Sequence, residues 1–310
     1  MRDSSERYAI TATANEWRSL LNSSVTIFSR KLGASRLGTV PGLRTLVRTG
    51  KSLRHGAHLA RVRRKIDSLG PGSTLCLGGA TVRFNDGPNL YILYKDIFVH
   101  RIYHFDAARP DPLILDCGSN IGMSILYFKQ AYPRARVIGF EPDPHIVPFL
   151  ENNIAANKLK DVQWVQAALS RDQEKKILFS DGVCGSGLAE TLTRDNSLDW
   201  KQYEVPCLRL RDYLEEPVDF LKMNIEGAEY EVLADSEDRL RQIREMIIEY
   251  HHLPGLPRSL HQILELLHRQ GFEYLINDFD SETNGGVQPP FRLTPESRYF
   301  LLIYAKRTDR

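Results

Sequence analysis

The chain has 310 residues, of which 42% are hydrophobic and 26% charged, with a mean hydropathy of -0.34. That is enough apolar material for one main domain of about 200 to 250 residues plus an extension, and no run approaches the roughly 18 to 20 apolar residues of a spanning helix, which excludes a transmembrane protein. The net charge of +2 hides a split: Trp17 to Ile66 carries twelve Lys and Arg and no Asp or Glu, while the remainder holds 29 basic against 39 acidic residues.

Residues 1–72 read as a basic extension, partly disordered or loosely helical, because Gly33, Gly38, Pro41, Gly42, Gly50 and Gly56 interrupt any long helix. Such an arm could touch an anionic membrane surface peripherally, or an acidic polymer. It also has the composition of an organellar transit peptide. The first residues lack the apolar block of a secretory signal, and Cys76, Cys117, Cys184 and Cys207 lie far apart with no CxxC pair. Reduced thiols, a cytoplasmic location and no metal site are the expectation.

From Ser73 the texture turns to short strands, Thr74 to Leu77, Thr81 to Phe84 and Leu90 to Tyr94, so residues 73–109 are expected to form a small antiparallel unit or lid. Residues 110–310 then alternate strand and helix. Strands are expected at Leu113 to Asp116, Val137 to Phe140, Val162 to Ala168, Val218 to Asn224 and Met246 to Tyr250, and Lys176 to Phe179 is expected to pair at an edge. Helices are expected at Ile121 to Ala131, Pro144 to Asn157, Tyr230 to Leu240 and Leu260 to Gln270, with Phe272 to Ile276 and Arg298 to Lys306 closing the chain as a strand pair. This pattern predicts an α/β fold with a doubly wound, mostly parallel Rossmann-like sheet and an antiparallel C-terminal strand pair.

In such a sheet ligands sit beyond the carboxyl ends of the strands. After the first comes Asp116-Cys117-Gly118-Ser119-Asn120-Ile121-Gly122, whose glycines permit a tight turn against an opening helix. The spacing is GxxxG, not the GxGxxG of a dinucleotide site, and Asp116 would repel a pyrophosphate while attracting an ammonium or a ribose. A nicotinamide oxidoreductase is therefore disfavoured. After the second strand comes Glu141-Pro142-Asp143-Pro144, where Glu141 is placed to accept from both hydroxyls of a ribose. Glu249, His251 and His252 follow the fifth strand, and a histidine there has a pKa suited to taking a proton from an alcohol. The segments Ser180 to Gly187 and Leu192 to Tyr203 are candidates for a substrate cover.

LDCGSNIG with SILYF behind it, IGFEPDP, LENNIAANKL and FLKMNIEGAEYEVL followed by IIEYHH resemble the FkbM-type methyltransferases, in order and at the expected spacing over about Leu113 to His252. The resemblance implies a class I methyltransferase fold and S-adenosylmethionine as cofactor. It implies that Asp116, Gly118, Ser119, Asn120 and Gly122 line the methionine end, Glu141 and Pro142 the ribose, and Gln166 and Ala167 the adenine. It also implies a hydroxyl acceptor on a small molecule or glycan. The fourth block departs from the family's Lys-x-Asp-x-Glu-Gly-Ala-Glu by carrying Asn224, which keeps one acceptor oxygen but loses the charge and is no general base. Glu226 or His251 is then the expected proton acceptor, with Asn224 orienting substrate or methionine moiety. Asn224 also suggests a catalytically silent cofactor-binding protein. The arm suggests a nucleic-acid methyltransferase, against which stand the missing Asn-Pro-Pro-aromatic turn and the scarcity of stacking aromatics beyond Trp17 and Phe28.

Overall fold

The computed structural model describes residues 56–182, 186–188, 200–253, 257–278 and 299–308. The chain divides into two compact units, 1–62 and 63–310. Of the first, only 56–62 are described, and they are helical; the basic extension otherwise lies outside the described residues. No helix among the described residues is long and apolar enough to cross a membrane.

The second unit opens with helical residues 63–67, where Ile66 is fully buried, and continues into the hairpin β1 (Thr74–Leu77) and β2 (Ala80–Arg83). Gly78 and Gly79 form its two-residue turn with φ of 61° and 86°, the left-handed pair that a tight hairpin requires. The third strand expected at Leu90 to Tyr94 is instead helix α1 (Gly87–Leu93), continued by a π-helical stretch, Tyr94–His100. Asp86 caps α1 by accepting from the Asn89 backbone N–H at 2.6 Å, and Pro88 sits in its first turn; Asn-Asp-Gly-Pro is here a helix start, not a hairpin turn.

The central sheet has seven strands in the order β13 (Phe272–Asp278), β14 (Tyr299–Arg307), β12 (Ile243–His252), β11 (Val218–Met223), β3 (Leu113–Cys117), β4 (Arg136–Phe140), β5 (Val162–Val165). All run parallel except β14, which is antiparallel to both neighbours. This is the mostly parallel sheet expected, with its antiparallel closing pair. Strands β3 and β11 are buried along their whole length, which is why LILDC and VDFLKM read as continuous rather than alternating apolar runs. Their core joins Leu115, Leu221, Met223, Val232, Met246 and Leu266.

Helices α2 (Met123–Ala131), α3 (Val147–Ala156), α4 (Glu229–Asp235) and α5 (Leu260–Arg269) connect the strands. The segment expected to pair at the sheet edge does not. It is β7 (Lys176–Ser180), the central strand of a separate antiparallel sheet with β8 (Ser186–Leu188) and β9 (Lys201–Val205). Leu178 of β7 and Leu188 of β8 bury against Val205, Ala168 of β6 (Ala168–Leu169) and Cys207 of β10 (Cys207–Leu208) instead of lengthening the main sheet. Residues 183–185 and 189–199, central to the two expected cover segments, lie outside the described residues.

Candidate active site

Register places the site. Asp116 of β3 pairs with Lys222 of β11 and Cys117 with Met223, while Met223 pairs in turn with Ile248 of β12. One residue further along, Gly118, Asn224 and Glu249 therefore meet at the carboxyl ends of neighbouring strands. Gly118 has φ of 85°, and a Cβ there would stand 1.9 Å from the Asn224 carbonyl oxygen. Two backbones touch, so no side chain fits. Gly122 has φ of 86°, and a Cβ on it would meet Leu150 at 2.8 Å, which ties the start of α2 to α3.

The turn is held from both sides. The Gly118 and Ser119 N–H groups donate to the Phe140 carbonyl at 3.0 and 2.8 Å. The Lys222 ammonium donates to the Gly118 carbonyl and lies 3.3 Å from Asp116, while Ser124 donates to Asp116 at 2.5 Å. Asp116 is thus fully buried and occupied beneath the turn. Ser119 is also buried, donating its hydroxyl to the Asp116 carbonyl at 3.0 Å.

A cleft opens beyond these strand ends. Of the residues expected to bind cofactor, Gly118, Asn120, Glu141, Pro142 and Ala167 line it, together with Asn224 and Glu226. Asp116, Ser119 and Gly122 support it from behind, and Gln166 is exposed outside the lining. Sequence reasoning missed the apolar wall of Leu169, Leu178 and Leu188. Two of these belong to the small sheet, and the short apolar run Ile177-Leu178-Phe179 does not say which of its faces meets the cleft.

Glu141 is 5% exposed and accepts from the Asn120 backbone N–H at 2.8 Å and from that of Asp143 at 3.0 Å. Burial pushes its carboxyl up to about 7, against the pull of those two donors. Asn120 takes the left-handed φ of 49° that aims its N–H at Glu141.

The other end of the cleft is a buried polar network. Asn224 donates Nδ2–H to Glu249 at 2.7 Å, and Tyr103 donates its hydroxyl to the other Glu249 oxygen. Burial raises Glu249 above the ordinary carboxylate range, although Lys222, Tyr103 and His251 oppose the shift. The Asn224 Oδ1 is buried with no hydrogen-bond partner among the described residues. His251 lies between two carboxylates, its Nδ1 at 3.0 Å from Glu229 and its Nε2 at 3.6 Å from Glu226. Burial pushes the imidazole down, but Glu226 and Glu229 prevail and carry it up to about 9. The two carboxylates thus favour the charged imidazole, which sets His251 against the role of proton acceptor expected for it. His252 stacks on Tyr299 with ring centroids 4.6 Å apart. Among the described residues, no group of three or more His, Cys, Asp or Glu is arranged to hold a metal ion.

These features suit S-adenosylmethionine. The Glu141 carboxylate offers a paired acceptor for a ribose, Leu169, Leu178 and Leu188 an apolar wall for a base, and the unpartnered Asn224 Oδ1 an acceptor for a cation.

Residues 116–274 match the methyltransferase FkbM domain family. The chain is 28% identical over 207 residues to methyltransferase sdnD of Sordaria araneosa, covering 56% of this chain and 79% of that one. It is 28% identical over 230 residues to 31-O-demethyl-FK506 methyltransferase FkbM of Streptomyces tacrolimicus, covering 63% and 86%. It is 29% identical over 209 residues to 2-O-methyltransferase NoeI of Sinorhizobium fredii (strain NBRC 101917 / NGR234), covering 61% and 83%.

Proposed function

The chain belongs to the FkbM methyltransferase domain family, and from that premise we propose that it is an S-adenosylmethionine-dependent O-methyltransferase acting on a hydroxyl of a small molecule or glycan. The observation that carries the reading is the cleft itself, with a buried two-oxygen acceptor at Glu141, an apolar wall, and a polar end at Asn224 and Glu226. The names of two relatives, a 31-O-demethyl-FK506 methyltransferase and a 2-O-methyltransferase, support oxygen as the acceptor atom.

The cofactor, when bound, supplies an electrophilic methyl group on a sulfonium. The chain's own task is to bind, align and deprotonate. Glu141 holds the ribose hydroxyls, and the Gly118 turn lets the backbone approach the methionine portion closely. Glu226 lines the cleft and takes the hydroxyl proton on its carboxylate, because the carboxylates beside His251 favour its charged form. His251 is instead the counter-ion that orients Glu226.

Asn224 favours a second reading, a protein that binds the cofactor without turnover. Calorimetric titration with S-adenosylmethionine and its demethylated product should show binding of both, and tritiated methyl should pass from labelled cofactor into small-molecule or glycan fractions of a cell extract. Absence of binding refutes the first reading. Binding with no transfer into any fraction selects the second, and label confined to protein or RNA refutes the small-molecule acceptor.

A further inference from the structure

Glu249 sits one strand away from the position where Asn224 departs from the family pattern, and both of its oxygens are engaged. Tyr103 donates to one, and the Asn224 Nδ2 donates to the other at 2.7 Å. The carboxylate is 3% exposed, so it does not itself offer a face to a ligand. The planar Asn224 amide, committed to Glu249 through its nitrogen, has its oxygen left over. That oxygen is buried, has no partner among the described residues, and belongs to a residue that lines the cleft. A buried acceptor left unpaired signals a donor that arrives with a ligand.

An aspartate at 224 would bring two carboxylates to about 2.7 Å of each other, an arrangement in which both cannot stay ionised. Asparagine at 224 and glutamate at 249 thus form one unit with one carboxyl group between them instead of two. We propose that Glu249, clamped by Tyr103, is a positioning residue: it carries the charge of this end of the cleft on β12 instead of β11 and fixes the Asn224 amide so that Oδ1 accepts from the cationic end of the cofactor. This rests on the methyltransferase reading above, and it removes the reason for treating Asn224 as a sign of inactivity. The charged and titratable groups around Glu249 are Lys222 on β11, Tyr103 on the segment before β3, His251 on β12 itself, and Glu226 after β11. Lys222 is committed to the Gly118 carbonyl and Asp116, and His251 to Glu229 and Glu226, so Asn224 is the neutral partner through which Glu249 acts.

The test is a charge swap, read by calorimetry with S-adenosylhomocysteine at pH 7.5 and by thermal melts. Glu249→Gln offers its own amide to Asn224 and removes the charge, so affinity should fall about tenfold. Asn224→Asp should melt about 5 °C lower, through carboxylate repulsion. The double variant Asn224→Asp/Glu249→Gln restores one charge, and should regain affinity to within about threefold of the unaltered protein and melt above Asn224→Asp alone. Wild-type affinity in Glu249→Gln, or a double variant that binds no better than Glu249→Gln, overturns the proposal. If the unaltered protein itself does not bind S-adenosylhomocysteine, the methyltransferase reading fails separately, and the melts still decide the pair. A double variant no more stable than Asn224→Asp then shows that 224 and 249 do not share a charge.

Discussion

Glu141 shows how one residue ties binding to pH. Its carboxyl is buried against the Asn120 and Asp143 amides and pushed up to about 7, whereas an exposed glutamate titrates near 4.5. The folded state therefore holds this proton more tightly than the unfolded chain does. The resulting stabilisation is complete below about pH 4.5 and is lost as pH rises through about 7. Binding runs the opposite way. Only the carboxylate accepts from both ribose hydroxyls, so affinity for S-adenosylhomocysteine should fall several-fold between pH 8 and pH 6, with release of a proton on binding in the lower range. Calorimetry in two buffers of different ionisation heat measures both quantities, and a flat profile would mean that Glu141 does not hold the ribose. Glu141 itself was legible in the sequence, because an acid after the second strand has one obvious use. Glu249 and Tyr103 were not legible as a pair: they are 146 residues apart, and only the strand order brings them together.

At the scale of elements, the hairpin β1–β2 is secured by side chains that imitate a strand. Asn153 accepts from the Arg83 N–H at 2.7 Å and donates to its carbonyl at 2.9 Å, and Asn157, just beyond α3, does the same for Thr81 at 2.9 and 2.7 Å. Two amides one helical turn apart thus satisfy the free edge of β2. Asn153 is fully buried and also donates to the Ile121 carbonyl at 2.8 Å. Asn153→Ala leaves these groups unpaired, and should destabilise the fold by about 2 to 4 kcal/mol, measured by urea denaturation; Asn157→Ala, more exposed, should cost less. A loss below about 0.5 kcal/mol in Asn153→Ala would show that water replaces the amide freely. The alternation of strands and helices in the C-terminal two thirds was readable because each element has its own apolar period. The docking of the hairpin was not, since an asparagine within a helical run gives no sign of what it grips. Leu90 to Tyr94 was misread for a related reason: its apolar run is short, and the cap at Asp86 that makes it helical is a contact, not a pattern.

At the scale of the molecule, the charge split coincides with a division of the chain. Residues 1–62 and 63–310 are separate compact units, and the second holds the whole sheet and the whole cleft. Its core begins earlier than the sequence suggested. Ile66, at the end of the acid-free stretch, is fully buried, and Lys65 donates to the Cys76 carbonyl at 3.4 Å. A chain starting at Arg63 keeps 30 basic against 36 acidic residues, so its formal charge changes from +2 to −6. That shortened chain should bind S-adenosylhomocysteine within about twofold of the full-length protein and melt within a few degrees of it, since no cleft residue is removed. Cutting four residues further, through Ile66, should lower stability by about 2 to 4 kcal/mol, because it opens a cavity under α1 where Ile66 Cγ2 now approaches Gly87. The charge change has its own readout. Vesicles containing about one-third phosphatidylglycerol should retain the full chain at low salt, release it above roughly 0.3 M salt, and leave the shortened chain in solution. Equal retention of both chains would show that the acid-free stretch is not what meets an anionic surface, and loss of cofactor affinity on removing residues 1–62 would show that the extension contributes to the cleft.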